Sequence, residues 1–280
     1  MEPLIMPEAA PEYAAARRVL LDALCILEPH LANLVLVGAQ AVYLHTGDRG
    51  LAVPIMTTDA DLALDTAQLS DHPEIAAALV EGGFAPGANP GHWIGRGDVA
   101  VDIMVVPHQA GTTSKTARSA RIPPHSKKVG RIARGLEPAL IDHTPMVIRA
   151  FGPSDPRAFT LNVAGPGALL VAKAIKIAER AEDARKQSNR LRQKDALDMF
   201  RLLQGIPTEQ LVAGLHSHRA RNDAAAVSRE GVEFVAAHGT WEEGMLPSLA
   251  TEAAFGDLSV APAFAALARQ LIAALDRDSQ

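Results

Sequence analysis

The stretch LVLVGAQAVYLHTGDRGLAVPIMTTDADLALD, residues Leu34 to Asp65, decides how this chain is read. Leu34 to Val37 form a short apolar strand, Gly38 a tight turn, and Ala39 to His45 a helix. After a loop, a second strand starts near Thr58 with carboxylates at alternate positions. Residues i and i+2 of an extended strand point the same way. Asp59 and Asp61 therefore project from one face while Ala60 and Leu62 turn inward. Carboxylates forced together repel, and a divalent cation bound through oxygen relieves that repulsion. Alone, the triplet reads equally as a solvated turn of alternating charge. The glycine between strand and helix adds free backbone N–H groups where a phosphate can sit.

At 280 residues the chain is long enough for one large domain or two modest ones. Apolar content of 48% with 21% charged residues places it among ordinary globular proteins rather than disordered or fibrous ones. A net charge of −5 gives no global attraction to nucleic acid, so such a partner needs a local basic surface. The single cysteine, Cys25, lies in an apolar helical pattern and reads as a core residue. It cannot form an intrachain disulfide, which fits a reducing cytoplasm. The acidic, proline-broken start MEPLIMPEAAPEY carries no secretory signal, and no uncharged apolar run of about 18 residues occurs. A cytoplasmic protein without a membrane span is expected.

Outward from the central stretch, Glu12 to Leu27 has helical apolar spacing and ends before Pro29. Ser70-Asp71-His72-Pro73 resembles a helix start, with Ile75, Leu79 and Val80 on one face and Gly82-Gly83 as the stop. A strand at His92 to Ile94 and a second at Val99 to Val106 follow. The latter, VAVDIMVV, carries one charge, Asp102, which is costly to bury unless paired or bound to metal. Lying beside the Asp59/Asp61 strand, it adds a third carboxylate; on an edge strand it would simply face water. Met146 to Phe151 and Phe159 to Val163 read as two more strands. From Pro166 onward the pattern is helical, with helices near Ala168 to Lys186 and Leu191 to Leu203. The expected organisation is α+β, with an α/β domain over residues 1–155 and a helical domain over residues 156–280.

Two further features carry charge. Residues 115–134 hold Lys115, Arg118, Arg121, Lys127, Lys128, Arg131 and Arg134 with no Asp or Glu. They read as a positive surface for the phosphates of a nucleotide or an RNA backbone, or as a plain solvated loop. In the helical half, Lys173 sits in an apolar stripe, and Lys176 and Arg180 follow on the same side. Lys194, Asp195 and Asp198 occupy the next helix. A lysine in an apolar stripe requires an anion, either a ligand or an internal partner such as Asp195. His125, His143, His216 and His218 show no metal-ligand spacing, and the last two read as solvated.

Gly38-Ala39 after a strand, Thr57-Thr58-Asp59-Ala60-Asp61, the later lone Asp102, Lys173…Arg180 and Lys194-Asp195…Asp198 together resemble the nucleotidyltransferase superfamily of DNA polymerase beta. Within it they most resemble the AbiEii toxin group, which includes the mycobacterial MenT toxins. The resemblance spans roughly Leu34 to Leu203. It implies a small mixed sheet with helices, followed by a helical domain that closes the active-site cleft. It also implies that Asp59 and Asp61 bind two Mg²⁺ (or Mn²⁺) that hold an NTP, and that Asp102 shares the second metal and helps deprotonate the acceptor. Gly38, Ala39 and Thr58 would contact the nucleotide, as would the cations Lys176 and Arg180. Lys173 would pair with the triphosphate, and Asp195 would position Lys173 or the substrate. Ala39 stands where the superfamily usually has Ser or Gly, which keeps a backbone N–H and removes a side-chain hydroxyl.

The resemblance implies transfer of a nucleotide to an acceptor hydroxyl, for the MenT group the 3′ end of tRNA, by the toxin of a toxin–antitoxin pair. The expected partners are therefore NTP, tRNA through residues 115–134, and an antitoxin protein. The alternatives are transfer to a small molecule or a protein, and a catalytically silent binding module of the same fold. Lys173→Ala is expected to lower turnover by orders of magnitude and leave stability nearly intact, whereas severe unfolding would mark Lys173 as part of a structural ion pair.

Overall fold

The computed structural model describes residues 10–47, 53, 55–114, 116–152, 154–184 and 193–277. Lys115, Lys186 and Leu191 lie outside them. Helix α1 (Pro11–Ile26) leads into β1 (Leu34–Val37), which is buried at all four positions and passes straight into α2 (Gly38–Thr46). β2 (Asp59–Leu64) runs antiparallel to β1, with Val37 opposite Asp61. Ala60 and Leu62 are buried while Asp59 and Asp61 keep partial exposure, so the period-2 alternation expected of a one-sided strand is realised.

Beyond α3 (Ile75–Glu81) come β3 (Ala85–Pro86), β4 (His92–Ile94), β5 (Ala100–Val105), β6 (Arg131–Ile132), β7 (His143–Arg149) and β8 (Ala158–Ala164). The sheet order is β3-β4-β5-β2-β1-β8-β7, with β6 on β5. Both parallel (β2 with β5, β1 with β8) and antiparallel pairs occur, so the sheet is mixed, in keeping with the expected α+β class. Helix α1 packs across β2, β5 and β8.

The expected boundary at residue 155 falls inside the sheet. β8 pairs with β1 and with β7, so the helical half begins at α4 (Pro166–Ala184), directly after β8. It continues through α5 (Gln193–Gly205), α6 (Thr208–Ser217), α7 (Asn222–Gly239), α8 (Met245–Ala253) and α9 (Val260–Arg277). Leu169, Leu170, Val171, Ala174, Ile175 and Ile177 form the buried stripe of α4, which packs on α5, α6 and α7. α2 touches both α4 and α5, and one hydrophobic core runs through sheet and helices. Among the described residues no helix is long and apolar enough to cross a membrane.

Three local expectations are corrected. Glu74, not Ser70, caps α3: its carboxylate accepts the Ala77 N–H at 2.6 Å, and Val80 of that helix is exposed. Cys25 is exposed, because it falls on the side of α1 turned away from the sheet. His218 is fully buried rather than solvated. Its Nε2 lies 3.1 Å from Asp142 Oδ2 and its Nδ1 lies 2.9 Å from Ser228 Oγ. A carboxylate only accepts, so Nε2–H donates to Asp142 and Nδ1 accepts from the Ser228 hydroxyl.

Asp142 Oδ2 also accepts the Ala168 N–H at 3.0 Å, near the start of α4. One carboxylate thus satisfies a helix N-terminus and ties α4 to the segment before α7. Asp142→Ala is expected to lower unfolding free energy by about 2 kcal/mol, the sum of a lost cap and an orphaned imidazole. Urea melts check this; a change within about 0.5 kcal/mol would show that Asp142 holds nothing.

Candidate active site

The register of three strands builds the acidic floor of the site. Asp61 on β2 lies opposite Asp102 on β5 and, on its other side, opposite Val37 at the end of β1. Residues opposite each other in adjacent strands share a face, and Asp59 shares it by alternation. The carboxylates of Asp59, Asp61 and Asp102 therefore line one cleft of about 890 Å³. Gly38 begins α2 at φ +69, and a Cβ there would fall 2.0 Å from Asp61 Oδ2. Only glycine lets the start of this helix lie against the acid.

Residues behind the floor hold Asp59. The buried Thr57 hydroxyl donates to Asp59 Oδ1 at 2.8 Å, and Gln40 Nε2 donates to the Asp59 carbonyl at 3.1 Å. Gln40 in turn accepts from Arg17 Nε at 2.9 Å. Arg17, 3% exposed, also donates to the Tyr13 hydroxyl and the Arg149 carbonyl. Asp102 is held differently. His92 of β4, directly opposite it, places Nδ1 2.7 Å from Asp102 Oδ1, and Arg131 Nη2 lies 3.9 Å from Oδ2.

Helix α4 forms the facing wall. Lys173 lines the cleft, but its ammonium is 6% exposed and donates to Asp195 Oδ1 at 2.8 Å and Asp198 Oδ2 at 2.6 Å. Burial alone would lower its pKa; the charges of Asp198 and Asp195 outweigh burial and hold it raised. Asp195 also accepts from Lys176 Nζ at 3.1 Å and Arg180 Nη1 at 2.7 Å. Burial pushes its carboxyl up, but Lys173 and Lys176 hold it well below the usual range. Lys176 is 43% exposed into the cleft, and its pKa is lowered by partial desolvation and the neighbouring Lys173 charge. Its field reaches Asp61.

The remaining expected residues fall as follows. Two of them lie outside the cleft lining: Ala39 is buried in α2, and Thr58 is exposed at the mouth of β2. Arg118, Arg131 and Arg134 of the basic segment line the cleft, whereas Arg121, Lys127 and Lys128 are exposed outside it. Arg134 is bonded to Glu230 of α7, and His108 Nε2 lies 3.0 Å from Asp223 Oδ2 on the same helix. Sequence reasoning missed Thr57, His92 and Gln40. Thr57 adjoins the acidic pair and was visible; His92 and Gln40 depend on long-range pairing.

The donor set suits a hard divalent cation. Burial and then the Asp59 charge push the Asp61 carboxyl up to about 6, the mark of an acid with too little countercharge beside it. Among the described residues no three His, Cys, Asp or Glu side chains already surround one point. Of the three acids, Asp102 is the one already engaged by a histidine, His92. The class defined by fold and site is thus a mixed α/β chain with an acidic floor and a cationic helical wall. The chain matches no protein-family model, no curated protein and no solved structure.

Two measurements follow from these charges. A raised Asp61 pKa contributes stability that is fully present below about pH 3.8 and is lost as pH rises through about 6. In chelator-treated protein, Asp61→Asn should therefore raise stability by roughly 2 kcal/mol at pH 8, with the gain vanishing near pH 4. A pH-independent gain would rule out this origin. Lys173→Ala strips buried Asp198 of its cation and leaves Asp195 only Lys176 and Arg180; it should cost about 3–5 kcal/mol in urea melts, and a loss below about 1 kcal/mol would mean the pair is dispensable.

Proposed function

We propose that this chain is a Mg²⁺-dependent nucleotidyltransferase that moves a nucleotide from an NTP to an acceptor hydroxyl. The observation that carries the reading is the register that sets Asp59, Asp61 and Asp102 on one face of β2 and β5, opposite the cations of α4. The order of strand, glycine turn, helix, Asp-x-Asp strand and second Asp strand supports the nucleotidyltransferase fold. Arg118 and Arg131 in the same cleft favour an RNA acceptor, with the 3′ end of tRNA first among candidates. The role of a toxin paired with an antitoxin rests on the AbiEii resemblance.

Asp59 and Asp61 would hold the ion pair, with Asp102 as the third ligand. When bound, the ions supply charge neutralisation on the triphosphate and a template for in-line displacement. The residues of the chain do the rest. Gly38 lets the start of α2 lie against Asp61, and the first N–H groups of that nine-residue helix, which has no side-chain cap, would face phosphate oxygens. Lys176 faces the departing pyrophosphate and offsets its growing charge. Lys173 serves as a positioning residue: it fixes Asp195, which orients Lys176 and Arg180. The acceptor proton passes to Asp102 Oδ2, the oxygen that His92 leaves open.

One observation favours the silent-module reading instead, namely that Asp102 is already bonded to His92. The two readings separate experimentally. Incubation with labelled NTPs, Mg²⁺ and total tRNA should label the RNA, and Asp59→Asn or Asp61→Asn should abolish labelling. Calorimetry showing neither Mg²⁺ nor NTP binding would leave only the silent module. Lys176→Ala should lower turnover by at least about tenfold with stability changed by less than about 1 kcal/mol; unchanged turnover would remove Lys176 from the site.

A further inference from the structure

The cleft holds its own supply of the group that nucleotidyl transfer consumes. Thr112, Thr113 and Ser114 line it together with Asp59, Asp61 and Asp102, and they are the only Ser or Thr residues that do so among the described residues. They belong to the chain between β5 and β6, whose two ends are pinned. Gly111 has φ +61, and a Cβ there would lie 1.9 Å from the Arg121 carbonyl oxygen. Arg121 N–H bonds the Ala110 carbonyl at 2.8 Å, Ala120 N–H bonds the Gly130 carbonyl at 3.0 Å, and Ser119 bridges to Arg131 of β6.

Between these pins the three residues share the cleft lining with the acidic floor. Thr113 and Ser114 are exposed, and Thr112 is half-buried with its Oγ1 accepting the Ser114 N–H at 3.3 Å. Beside them, Arg118 and Arg131 give the same wall a positive field for a triphosphate. A hydroxyl tethered this way meets a bound nucleotide at the high effective concentration of an intramolecular reactant.

We infer that the chain nucleotidylates itself on the hydroxyls of Thr112 to Ser114, in cis, and that the attached nucleotide then occupies the cleft and shuts it. This rests on the nucleotidyltransferase reading. The Oγ attacks the α-phosphorus, so an Oγ–Pα bond forms. The bond from Pα to the bridging oxygen of the β-phosphate breaks, pyrophosphate leaves with that electron pair, and the hydroxyl proton passes to Asp102 Oδ2. No oxidant or second reactant is needed beyond the NTP. The product carries an extra phosphodiester within reach of Arg118 and Arg131, which would retain it.

The test incubates the full chain with Mg²⁺ and each labelled NTP, with and without total RNA, and maps labelled peptides by mass spectrometry. The expected result is one nucleoside monophosphate on the peptide containing Thr112, Thr113 and Ser114, absent in Asp61→Asn. The fraction labelled per unit time should be unchanged on tenfold dilution of the protein. Labelled RNA with unlabelled protein, or label on protein at other residues, overturns self-modification and leaves the transferase reading standing. A rate that falls with dilution overturns the cis route. No label on RNA or protein with any NTP overturns both this inference and the reading beneath it.

Discussion

The register between two parallel strands governs this molecule. Asp61 stands opposite Asp102 because β2 and β5 align Asp59 with Ala100 and Leu62 with Ile103. A slip of one residue would turn the acids into the core and put Leu62 and Ile103 in water. Burial of those apolar side chains, about 1.5–3 kcal/mol each, is what holds the carboxylates at the surface of the cleft. The hydrophobic effect thus sets the site's geometry, and the charges accept the positions it leaves them.

The two walls of the cleft solve the problem of buried charge in opposite ways. On α4 and α5 the ions are nearly self-sufficient: Lys173, Lys176 and Arg180 surround Asp195, and Asp198 completes the coordination of Lys173. On the sheet, Asp61 has two repulsive neighbours, Asp59 and Asp102, and only the weaker fields of Lys176 and Lys173 to offset them. A wall whose charges are mostly paired among themselves, facing an undercompensated floor, is an arrangement that gains energy when positive charge arrives from solution, and it loses stability while it waits.

Much of this was legible in the residues. The alternation in Asp59-Ala60-Asp61-Leu62 gave both the strand and its exposed face, and a lone Asp102 within VAVDIMVV marked a second. The strand, turn and helix of Leu34 to His45 followed from one apolar run and one glycine. What could not be read depends on contacts distant in the chain. His92 meets Asp102 only through the antiparallel pairing of β4 with β5, and His218 is buried because Asp142, far upstream, turns to receive it. Lys173 was open to an internal partner or a ligand, since an apolar stripe demands an anion without saying whose. The return of β8 to the sheet was hidden for a related reason. A strand that rejoins a sheet next to its first member has no local signature of doing so.

The arm between β5 and β6 and the residues just after it are joined to α7 by partly exposed pairs, His108 with Asp223 and Arg134 with Glu230, while α4 is joined to α5 by ions shut away from solvent. Dissolved electrolyte reaches the first set and not the second. Rising ionic strength therefore slackens the arm's grip on the helices and leaves the lysine wall rigid, so the two sides of the groove answer the same medium differently.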